Sequence, residues 1–126
     1  MRKVWIVDDD QDMVGAIRLM VKMLEYEERH FFSARLAAQT LLGGEVPDLF
    51  ILDINMPEVS GLDLLEFLRR RKDWKDLPVV MLSTEAADTM VDKAMAIGAD
   101  AYVTKPVALE ELDMAMKRAL AAHGKQ

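Results

Sequence analysis

Three unbroken apolar runs, Val4 to Val7, Leu49 to Leu52 and Val79 to Leu82, recur along the chain, with a shorter one at Ala101 to Val103. Continuous rather than alternating hydrophobicity predicts strands buried on both faces, as in a parallel sheet covered by helices. Between these runs the apolar residues take helical spacing: Met13, Ile17, Met20 and Leu24 in one segment, Leu36, Leu41 and Leu42 in another, Leu62, Leu65 and Leu68 in a third. Two more segments, around Met90 to Ile97 and Leu109 to Leu120, keep the same period. A weaker strand is expected near Arg29 to Phe32, between the first two helices. Five strands would then alternate with five helices, joined by right-handed crossovers into a parallel sheet with helices on both faces. Gly43-Gly44, Pro57 to Gly61, Pro78 and Gly98 punctuate the boundaries.

Composition narrows what such a domain can do. At 126 residues the chain can bury one core, and one domain is expected over 1–122, with a short tail at 123–126. Its apolar runs are far too short to span a membrane. Met1-Arg2-Lys3 leads straight into the first strand without the long apolar stretch of a secretory signal, so a cytoplasmic location is expected. With no cysteine, thiolate chemistry and disulfides are excluded. A net charge of -6 argues against direct nucleic-acid binding, which depends on Lys and Arg neutralising phosphates.

The residues that close the apolar runs are strongly polar. In an open parallel sheet a ligand binds beyond the carboxyl ends of the strands. There the chain carries Asp8-Asp9-Asp10, Asp53, Ser83-Thr84 and Thr104-Lys105. Carboxylates gathered at one edge raise one another's pKa unless a cation compensates. With no His or Cys among them, the donor set suits magnesium, held by Asp8, Asp9 and Asp53, with the backbone carbonyl of Asn55 as a further ligand. An ammonium and a hydroxyl facing those acids suit a phosphoryl group, whose transfer needs an in-line nucleophile and preorganised positive charge. Asp53 is the expected nucleophile, Lys105 the balancing charge, and Ser83 a hydrogen-bond donor to a phosphoryl oxygen. Thr84 offers a second hydroxyl, and strand periodicity alone does not choose between the two.

Val7-Asp8-Asp9-Asp10, Leu52-Asp53-Ile54-Asn55-Met56-Pro57 with Gly61, Ser83, and Thr104-Lys105-Pro106 together resemble the response-regulator receiver family of two-component signalling, the CheY-like superfamily. The resemblance covers nearly the whole chain. It implies a flavodoxin-like, doubly wound α/β fold with strand order 2-1-3-4-5. It also implies that Asp53 accepts a phosphoryl group from a histidine kinase or phosphotransfer protein, with Asp9 on magnesium directly and Asp8 mainly through water. Ser83 and Tyr102 would form a switch pair, Lys105 would reach the acylphosphate, and the Lys105-Pro106 bond would be cis. Phosphorylation would alter the surface of the fourth helix, fifth strand and fifth helix, where a downstream protein target, an output domain on a longer chain or a second copy docks. Such a protein is a switch that catalyses only its own phosphorylation and dephosphorylation. A stand-alone receiver is expected, since the chain ends at Gln126 soon after Leu120.

Plainer readings exist for each feature alone. Asp8 to Asp10 precede a helix whose positive end favours anions, Ser83-Thr84 could cap a helix beginning near Glu85, and Lys105 could be a solvated charge. Met13, Met20 and Met23 read as core packing. Trp5 and Trp74 also read as packing residues. His30 reads as a peripheral-strand residue isolated from the acidic cluster, and His123 as part of a frayed tail. The basic run Arg69 to Lys72 suits the negative end of the third helix. A small-phosphate-ester hydrolase and an unphosphorylated docking module, a pseudo-receiver, are the competing functions.

Overall fold

The computed structural model describes residues 1–125, in ten elements in strict alternation: β1 (Lys3–Val7), α1 (Gln11–Met23), β2 (Glu27–Phe31), α2 (Ala34–Leu42), β3 (Leu49–Asp53), α3 (Gly61–Arg69), β4 (Val79–Ser83), α4 (Asp88–Ile97), β5 (Ala101–Thr104) and α5 (Leu109–Ala122). All strand pairs are parallel, in the order β2-β1-β3-β4-β5. The expected doubly wound α/β architecture and its order are therefore the ones the chain adopts.

Side chains alternate across the pleat, so each apolar run feeds two cores. Trp5, Val7, Phe50, Leu52, Val79 and Met81 pack with α2, α3 and α4 on one face. Val4, Ile6, Leu49, Ile51, Val80 and Leu82 pack with α1 and α5 on the other. Both tryptophans belong to the first cluster: Trp5 lies against Phe31 and Phe50, with ring centroids 4.8 and 5.6 Å away, and Trp74 lies 5.6 Å from Phe67.

Local chemistry sets the helix starts. Asp10 caps α1 by accepting the N–H groups of Asp12 and Met13, and Ser33 caps α2 through the Leu36 N–H. Ser60 and Asp63 form a reciprocal capping box on α3. The fourth helix corrects the sequence reading, for it starts at Asp88 after Ala87 with no side-chain cap, so Ser83 and Thr84 do not cap it.

Several facing assignments also change. In α2 the buried face is Ala34, Ala37 and Leu41, while Leu36 and Leu42 are exposed. A short helix bounded by small residues can approach the sheet closely, which turns its larger leucines outward. In α1 the core stripe is Val14, Ile17 and Val21, with Met13 and Met20 at its margin and Met23 exposed. Arg69 does more than complement a helix dipole: its half-buried guanidinium donates to the carbonyls of Gly98, Lys75 and Leu77 and to Asp100. His123 is not frayed, since it caps the end of α5 with Nε2 2.9 Å from Asp100 Oδ2. Gln126, the last residue of the expected tail, lies outside the described residues.

Candidate functional site

Among the described residues the polar and charged residues buried as a whole are Asp8, Asp53 and Ser83, all at the carboxyl edge of the sheet. Asp53 is the last residue of β3 and Ser83 the last of β4, paired in register with Leu82 and Thr104 respectively. Asp8 extends β1 by one bond, its N–H donating to the Phe31 carbonyl at 3.1 Å. Polar residues are thus carried into the interior by strands that the sheet holds rigidly.

Carboxylate oxygens of Asp8, Asp9 and Asp53 lie within 4.8 Å of one another. Lys105, buried after β5, places Nζ 3.0 Å from Asp8 Oδ2 and 3.4 Å from Asp53 Oδ1. Two of the three carboxylates therefore share one ammonium. Burial, followed by the Asp8 charge, pushes the Asp53 carboxyl up from 3.8 to about 6, against the opposing pull of Lys105. Burial works to lower the Lys105 pKa, but Asp8 and Asp53 outweigh it and hold the ammonium above its ordinary value. A hard divalent cation fits this pocket, because the donors are oxygens and the negative charge is in excess. Asp8, Asp9 and Asp53 are the side chains that could hold it.

The remaining predicted residues surround this cluster. Asn55 follows two residues after Asp53 in the loop leading to α3, with its side chain exposed. Ser83 is buried and accepts the Glu85 N–H at 3.0 Å, while Thr84 is exposed. Tyr102, on β5, donates its phenol O–H to the Glu85 carbonyl at 2.7 Å. The same β4–α4 loop therefore holds one hydrogen bond from each member of the predicted switch pair. The Lys105–Pro106 peptide bond is cis.

Two residues gain a role at the site that the sequence reading did not give them. Gly61, at the first turn of α3, sits so close to the strand end that a Cβ there would meet the Asp53 carbonyl oxygen at 2.1 Å. The helix can pack against the acidic strand end only because this residue has no side chain. His30, read as isolated, places Nε2 2.7 Å from the Asp8 carbonyl. A glycine eight residues after the central aspartate was a visible signal for the first; the second had none, because the contact joins neighbouring strands.

Comparison with known proteins agrees with this architecture. Residues 4–117 match the response regulator receiver domain model. The transcriptional regulatory protein BasR of Escherichia coli is 36% identical over 126 residues, covering 98% of this chain and 54% of BasR. Protein RcaC of Microchaete diplosiphon is 36% identical over 110 residues, covering 87% of this chain and 17% of RcaC. Among solved structures, a putative response regulator from Chloroflexus aurantiacus superposes with a TM-score of 0.89 at 29% identity, covering 95% of this chain and 98% of that one. The chain belongs to the response-regulator receiver family, the phospho-accepting modules of two-component signalling. It spans about half the length of BasR and far less of RcaC.

Proposed function

We propose that Asp53 is the phosphoryl acceptor of this receiver and that Asp9 holds Mg2+ directly, Asp8 mainly through water, with Asp53 and the Asn55 carbonyl as further ligands. The observation that carries this reading is the cluster of buried Asp8 and Asp53 with exposed Asp9, in which Asp8 and Asp53 share the Lys105 ammonium. When bound, the cation would supply positive charge for the phosphoryl oxygens and relieve the repulsion among the carboxylates. An Asp53 oxygen attacks the phosphorus of a phosphohistidine on a histidine kinase or phosphotransfer protein; the P–O bond forms, the P–N bond breaks and the imidazole leaves. Lys105 neutralises charge on the transferred group, and Ser83 turns its hydroxyl from Glu85 toward a phosphoryl oxygen. Water later attacks the phosphorus, returning the Asp53 carboxylate and releasing inorganic phosphate. The protein catalyses only these two steps on itself.

The output follows from Tyr102. Movement of Ser83 disturbs the Glu85 loop that also receives the Tyr102 hydroxyl, so the ring turns and the α4-β5-α5 face changes. That face would meet a downstream protein target, an output domain on a longer chain, or a second copy after phosphorylation. Residues 1–122 form the receiver in this reading, working in the cytoplasm, and no helix among the described residues is long and apolar enough to cross a membrane. The net charge of -6 keeps direct nucleic-acid contact out of the proposal. Any transcriptional role like the one BasR is named for would need another segment. The family match favours this switch over the phosphate-ester hydrolase or the unphosphorylated docking module.

The test is intact-protein mass after incubation with acetyl phosphate and magnesium. A single added phosphoryl group is expected on the wild type and none on Asp53→Asn. Equal gain by both proteins would remove Asp53 from its role, and no gain by the wild type would remove the function.

A further inference from the structure

Asp8 is fully buried, and each of its polar atoms is held. Its N–H donates to the Phe31 carbonyl at 3.1 Å, Oδ1 accepts the Asp10 N–H at 2.9 Å, and Oδ2 accepts Lys105 Nζ at 3.0 Å. The fourth atom is the backbone carbonyl, 2.7 Å from His30 Nε2. A carbonyl oxygen can only accept, so Nε2 carries the proton and the tautomer is fixed by the contact.

The strand register explains why a side chain is used there. β1 and β2 pair as far as Val7 and Phe31. Two residues later Ser33 caps α2 and the chain leaves the sheet. Among the described residues no backbone N–H reaches the Asp8 carbonyl. The imidazole takes the place of the missing ladder donor. Phe32 packs edge-on against it, with ring centroids 4.1 Å apart at 71°, and so limits its rotation.

We infer that His30 is a positioning residue for the acidic pocket. Its hydrogen bond fixes the Asp8–Asp9 peptide plane and thereby the direction in which Asp9 presents its carboxylate beside Asp8 and Asp53. Because the peptide is planar, holding the Asp8 carbonyl also sets the Asp9 N–H and the start of the Asp9 Cα bond. His30 acts through this backbone, not on the cation or the phosphoryl group. The inference rests on the proposed use of the pocket for a divalent cation.

The experiment measures Mg2+ binding by titration calorimetry at one fixed neutral pH for wild type, His30→Leu and His30→Gln. His30→Leu should bind about fivefold more weakly, the scale of one lost buried hydrogen bond. His30→Gln, whose amide nitrogen can stand where the imidazole Nε2 does, should remain within about twofold of wild type. In the magnesium-free proteins, the backbone amide resonances of Asp9 and Asp10 should shift in the Leu variant and stay near wild type in the Gln variant. If His30→Leu does not fold, His30→Asn, too short to reach the carbonyl, replaces it with the same expectation. Equal affinities for wild type and Leu, or a Gln variant as weak as Leu, would overturn the positioning role. A wild type that binds no Mg2+ would instead overturn the reading of the pocket.

Discussion

At the amino ends of the strands, Arg69 and Asp100 form an ion pair with its needs met. At the carboxyl ends, Asp8 and Asp53 share Lys105, with the exposed Asp9 beside them. Around Arg69 the carbonyls of Gly98, Lys75 and Leu77 lie 2.9, 3.1 and 2.7 Å away, and Asp100 in turn takes the Val79 N–H and His123. This cluster ties the ends of α3, α4 and α5 to the start of β4. Gly98 makes room for it, since a Cβ there would meet the Arg69 side chain at 3.0 Å. The other edge is left with more negative than positive charge. One end of the sheet uses its charges for cohesion, whereas the other keeps an imbalance that a proton or a bound cation relieves.

Removing the guanidinium should break the first end most severely. Arg69→Met leaves the half-buried Asp100 beside a neutral chain and should destabilise the fold by about 3 kcal/mol, the low end of the cost of deleting one partner of a desolvated pair. Urea unfolding would measure this, and Mg2+ affinity of the folded fraction should stay at the wild-type value. A matching loss of Mg2+ affinity would mean that the two ends are coupled.

The second end should respond to pH. The Asp53 carboxyl binds its proton more tightly in the fold, at about 6, than at its ordinary 3.8. Between those values the folded state holds more protons than the unfolded chain. The contribution of Asp53 to stability therefore falls as pH rises through this window, by on the order of 3 kcal/mol, and stays low above it. Urea midpoints without Mg2+ should show this decline, Asp53→Asn should flatten it, and Mg2+ should stabilise the protein more at neutral pH than near pH 4. The smallest effect is expected for His123→Ala, which removes one hydrogen bond from a cluster still held by Arg69 and should cost about 1 kcal/mol in the same assay.

How much of this was legible follows from where each residue sits in the chain. Asp53, Ser83 and Lys105 could be read because each stands at or just beyond the end of an apolar run, and the sheet aligns those ends. The strand boundaries moved by one residue, to include Asp53 and Ser83, because the backbone ladder continues after hydrophobicity stops. Leu36 and Leu42 misled because periodicity marks a stripe without saying which side of it meets the sheet, and the alanines of α2 packed instead. Arg69 and His123 were opaque for a different reason. Their partners lie tens of residues away at Gly98 and Asp100, on chain ends that only the complete fold brings together. His30 combined both difficulties, being an ordinary residue of a polar edge strand whose ring happens to finish the neighbouring strand's ladder.

The placement of the two tryptophans has an optical consequence. Trp5 and Trp74 both pack in the cluster between the sheet and α2, α3 and α4, and neither belongs to the cluster beneath α1 and α5. Tryptophan fluorescence will therefore report the packing on one face of the sheet. The face that carries α5 needs a label of its own.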